Sequence, residues 1–60
     1  MQDMRAHLEK LRSDAVDCQI ISDLATLPQK RELFAKLAAH HRKLADEVER
    51  AINEAKRTVG

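Results

Sequence analysis

The sequence predicts an all-α fold: an antiparallel two-helix hairpin, with helices over about residues 3–25 and 28–59, dimerising into a four-helix bundle. Three observations carry this expectation. Apolar and small residues before residue 26 recur at spacings that alternate between four and three. A single proline, Pro28, divides the chain. Beyond it, apolar residues fill one broad arc of a continuous helical pattern. Helix-forming Ala, Leu, Glu, Lys, Arg and Gln dominate, and the one glycine is the last residue.

The first helix is read from Asp3, whose carboxylate suits an N-cap because it accepts a free backbone N–H. Its seam is Met4, Leu8, Leu11, Ala15, Cys18, Ser22 and Ala25. Arg5, Glu9, Arg12 and Asp23 fall on the other side. A second, shorter stripe lies off the seam: Val16, Ile20 and Leu24, four apart, followed by Leu27. On so small a protein an apolar strip of this kind marks an association surface. Its alternative is a wider core face within one hairpin.

The break is Ala25-Thr26-Leu27-Pro28. Proline disfavours the helical region at the residue before it, so Leu27 leaves the first helix. Proline also suits the first position of the next helix. That makes Leu27 the cap, although it offers no side-chain acceptor. Thr26 with Gln29 matches a capping-box spacing one residue earlier, and Pro28 at the first helical position is preferred. A linker this short makes antiparallel neighbours.

The second helix carries Leu33, Phe34, Leu37, Ala38, His41, Leu44, Ala45, Val48, Ala51, Ile52, Ala55 and Val59 on an arc of about 140°. An arc wider than a two-helix seam touches more than one neighbour. At ~1.5 Å per residue this helix spans roughly 48 Å, against roughly 35 Å for the first. Its end overhangs, so Ile52, Ala55 and Val59 are expected bare in a monomer. A second copy would cover them, and a closed two-fold dimer is the commonest homo-oligomer. Lys56 and Arg57 suit the negative end of the helix dipole, whereas Lys30 and Arg31 stand at the wrong end for it.

Size and composition restrict the function. Sixty residues form one domain with a thin core, which favours a partner chain. One cysteine allows no internal disulfide and suits a reducing, cytoplasmic setting. The net charge is +1 with interspersed signs, so there is no basic block for nucleic acid or anionic membrane. No apolar run reaches a transmembrane length. Carboxylates occur singly, whereas a catalytic pair needs a cleft, so no catalytic residue and no cofactor is expected.

His41 is the residue where local chemistry and apolar face disagree. It comes level with Leu11 to Ala15 in the hairpin, and two roles are open. It is a core histidine bonded to a backbone carbonyl or across a dimer axis; or it is a pH-sensitive or metal-binding position. Adjacent His40 points about 100° away, which is unsuited to joint chelation, and His7 stands level with Asp46 and Glu47. No metal site is expected. Cys18 reads as a small buried hydrophobe. Lys30, Arg31, Lys36, Arg42, Lys43 and Arg50 are the positions available for phosphates. Acids interrupt them and no aromatic accompanies them for base stacking.

The segment Ile21 to Ala38, ISDLATLPQKRELFAKLA, resembles a pattern in small α-helical hairpin proteins of α-proteobacteria. There the position before the proline is often an acidic cap; here it is Leu27. The resemblance implies a hairpin and brings no activity. The plan is also similar to Rop-type RNA-binding hairpin dimers, in fold alone. The sequence therefore points to a small non-enzymatic interaction or adaptor protein, a homodimer that binds a helical segment of another protein. Its expected surface comprises Val16, Ile20, Leu24, Phe34, His41, Val48, Ile52 and Val59. The alternative is a nucleic-acid-binding regulator using the basic positions of helix two.

Overall fold

The computed structural model describes residues 2–59, and the side-chain surroundings of residues 3–57. Two helices, α1 (Gln2–Leu24) and α2 (Pro28–Val59), pack against each other as an antiparallel hairpin. No strand occurs among the described residues. The rod is 50 Å long by 15 and 11 Å. At ~1.5 Å per residue, the 32 residues of α2 account for that length by themselves.

The heptad seam of α1 is the face that packs. Leu8, Leu11, Ala15, Ser22 and Ala25 are buried, and Met4 and Cys18 are half-buried. One boundary differs from the sequence reading. The backbone is already helical at Gln2, which places Asp3 in the first turn rather than at the cap. Its carboxylate there still faces the positive end of the dipole.

The turn follows the proline. α1 stops at Leu24, and the Ala25 N–H donates to the Ser22 carbonyl at 3.2 Å. Pro28 opens α2, and the first backbone bond runs from the Arg31 N–H to the Leu27 carbonyl at 3.0 Å. Leu27 is thus the cap position and Thr26 is not.

The misplaced cation at Arg31 has a structural role. Its Nη2 donates to the Ala25 carbonyl at 3.0 Å, just past the end of α1. The last turn of α1 contains no basic residue. Arg31 supplies from α2 the positive charge that the negative end of α1's dipole favours. Ser22 completes the junction: buried, its hydroxyl donates to the Arg31 carbonyl at 2.8 Å.

That bond sets the register. With Ser22 opposite Arg31, Ala15 falls opposite Ala38 and Leu8 opposite Ala45, and all four of those apolar residues are buried. The same register puts Gln2 level with Ala51, so the last two turns of α2 project beyond α1 by roughly 12 Å. Ala55 is exposed there. Ile52 is not bare, contrary to the sequence reading. It is half-buried and packs on the cluster of Leu8, Leu11 and Ala45, with Leu44 and Val48. Helical side chains lean toward their own N-terminus, so Ile52 reaches back over α1. The side chain of Val59 lies outside the described residues.

Candidate interaction surfaces

Val16, Ile20 and Leu24 are 57%, 50% and 76% exposed, and Leu27 is 62% exposed. At about 100° per residue, the three helical positions point away from the buried seam of α1. They form an outward strip. The alternative of a wider core face within the hairpin does not describe the fold.

The two flanks of the hairpin differ. On one, Arg12 Nη2 donates to Glu49 Oε2 at 2.9 Å and Arg42 Nη2 donates to Gln19 Oε1 at 2.9 Å. Both bonds join α1 to α2, and this is the pinned flank. Stepping about 100° per residue to the other side of each seam reaches Cys18 and Ile21 on α1, and Leu33, Leu37, Leu44 and Val48 on α2. This is the open flank. Leu37, Leu44, Val48 and Cys18 are half-buried, while Ile21 and Leu33 are exposed. α1 therefore sits at the alanine edge of the wide α2 arc, over Ala38 and Ala45, and leaves the leucine edge partly uncovered.

Phe34 and His41 lie between these two edges and are half-buried. The His41 Nδ1–H donates to the Leu37 carbonyl at 2.7 Å, one turn back in α2. A carbonyl only accepts, so in the neutral ring this bond places the proton on Nδ1. The bond to a backbone carbonyl is one of the partners that the core reading of His41 anticipates, on a ring that is half-buried. The rings of His40 and His41 meet edge-on, with centroids 6.3 Å apart. Among the described residues, no group of three His, Cys, Asp or Glu side chains comes together as a metal would need.

Several of the basic positions serve the hairpin. Arg31 caps α1 and Arg42 reaches Gln19. Lys36 pairs with Glu32 at 3.8 Å. Lys30, Lys43 and Arg50 are exposed. Lys36, Lys43 and Arg50 recur every seven residues and share the outer face of α2, with Glu47 and Glu54 interleaved. Lys30, Arg31 and Arg42 point elsewhere, so the six positions do not form one surface. No helix among the described residues is long and apolar enough to cross a membrane.

Sequence reasoning missed Ile21, Leu33, Leu37 and Leu44 as surface candidates. Ile21 falls between the seam and the outward strip and belongs to neither repeat. Leu33, Leu37 and Leu44 were legible as apolar arc, but the arc does not say which part α1 covers.

No protein-family model matches the chain, and neither does any curated protein or solved structure at a significant level of similarity.

Proposed function

We propose that the protein is a small non-enzymatic adaptor of the cytoplasm. It self-associates as a four-helix bundle and docks an amphipathic helix of another protein on the strip of Val16, Ile20 and Leu24. The observation that carries this reading is the exposure of that strip on the side of α1 facing away from its own hairpin. An apolar row at helical spacing accepts the apolar face of a partner helix. The projecting end of α2, at the far end of the rod, is a second and separate contact in this reading.

Two measurements test it. Self-association predicts a melting temperature that rises with chain concentration. Docking predicts that Ile20→Lys with Leu24→Lys abolishes recovery of whatever the wild-type chain captures from native lysate. Unchanged capture by a helical variant protein would remove the strip from the proposal.

A second reading, a nucleic-acid-binding regulator, rests on Lys36, Lys43 and Arg50 sharing one face. Phosphate contacts make binding fall steeply with salt. Absence of any RNA or DNA retardation at low salt eliminates it.

A further inference from the structure

The protein exposes more surface than its mass warrants. Its accessible area is 4918 Å² for a 6.8 kDa chain. A compact monomer of that mass exposes about 3,950 Å², which leaves an excess of about 1,000 Å². A standard interface buries about 800 Å² on each partner. The excess is thus the size of one protein–protein contact. The elongated rod and the projecting end of α2 contribute to that excess, and no large side chain among the described residues is fully buried, so the hairpin also leaves its core incompletely covered.

We infer that a second copy of this chain packs on the open flank, formed by Ile21 from α1 and Leu33, Leu37, His41, Leu44 and Val48 from α2. The inference rests on the self-association proposed above and assigns it to one side of the hairpin. Two observations select that side. The residues there are predominantly apolar and partly covered, which is the state of a core cut open. The opposite flank carries the Arg12–Glu49 ion pair and Arg42 bonded to the neutral Gln19, and packing there would strip water from all three charges.

The outward strip is the competing face for a second copy, and it closes nothing. Two hairpins joined back to back through Val16, Ile20 and Leu24 leave both leucine edges wet. Two hairpins joined through the open flank bring four helices around one core and leave the strip free for a different partner. The occupant must also be present wherever the chain folds, since the missing cover belongs to the core itself. A second copy meets that condition, and a two-fold contact makes the flank its own complement.

Sedimentation equilibrium on the full chain tests the assignment, with helicity followed in parallel. The wild type is expected near twice 6.8 kDa. The test variant is Ile21→Lys with Leu33→Lys, at positions 38% and 55% exposed and outside the hairpin's own core. It should remain helical and weaken association by roughly 30-fold or more. Ile20→Lys should associate like the wild type. The reverse pattern, with Ile20→Lys monomeric and the double variant dimeric, overturns the flank assignment and leaves self-association standing. A helical wild-type monomer at high micromolar concentration overturns both. If the double variant unfolds, hydroxyl-radical footprinting of the wild type decides instead. As dilution lowers the sedimenting mass, labelling of Leu37 and Leu44 should rise while that of Val16 and Ile20 stays level. The opposite result overturns the assignment.

Discussion

Near the turn, α1 and α2 meet through small residues, Ala15, Ser22, Ala25 and Ala38, and through polar atoms closing on backbone carbonyls. Toward the other end, Leu8 and Leu11 meet Ala45, Leu44, Val48 and Ile52, and the polar links, Arg12 to Glu49 and Arg42 to Gln19, run between exposed or half-buried side chains. The difference separates two jobs. Apolar burial is non-directional, so the leucine end supplies stabilisation but tolerates some sliding. The Ser22 hydroxyl finds the Arg31 carbonyl at 2.8 Å in one register alone. The turn end aligns the helices, and the far end holds them together.

Substitutions compared at one chain concentration test this contrast. Leu11→Ala should cost most, about 2–5 kcal/mol in urea denaturation, because it empties the centre of the leucine cluster. For a chain of this size that is most of the available stability, and circular dichroism should show largely lost helicity. Ala38→Leu comes next. Ala38 is fully buried, so a larger side chain forces α1 off α2, and about 1–3 kcal/mol is expected. A smaller loss would mean that the helices separate easily at the turn end and that close approach is not what aligns them.

Ser22→Ala should cost about 0.5–1.5 kcal/mol, since the Arg31 carbonyl keeps its place in the α2 ladder. Its diagnostic effect is on alignment. Hydrogen exchange should quicken around Ala25 to Arg31 more than at Leu8 or Leu44. Uniform quickening would contradict the division of labour. The smallest effect belongs to Arg12 and Glu49, 48% and 49% exposed. A double-mutant cycle on them should give about 0.2–1 kcal/mol, falling with salt.

The seam of α1 was legible because its spacing of four and three belongs to the backbone helix; five of its seven positions are buried and Met4 and Cys18 are half-buried. Pro28 was legible for a similar reason: its ring restricts the residue before it and suits a first helical position. Arg31 was not. Read along α2 alone, it is a cation at the wrong end of a dipole; its carbonyl acceptor is on the other helix's terminus, six residues back through a turn. Ile52 was not legible either: axial length alone puts it past the end of α1, and the backward lean of helical side chains brings it onto Leu8 and Leu11.

By itself the sequence determined what is local: two helices, their amphipathic faces, the turn and the excess length of the second. These follow from periodicity and from proline's stereochemistry, which act within a few residues. The tertiary structure decided which edge of the wide α2 arc is covered. Ala38 and Ala45 let the backbones approach closely, so α1 settles on the alanine edge and the leucine edge stays open. Both edges belong to one apolar arc in a helical projection, and the choice between them exists once two helices are placed side by side.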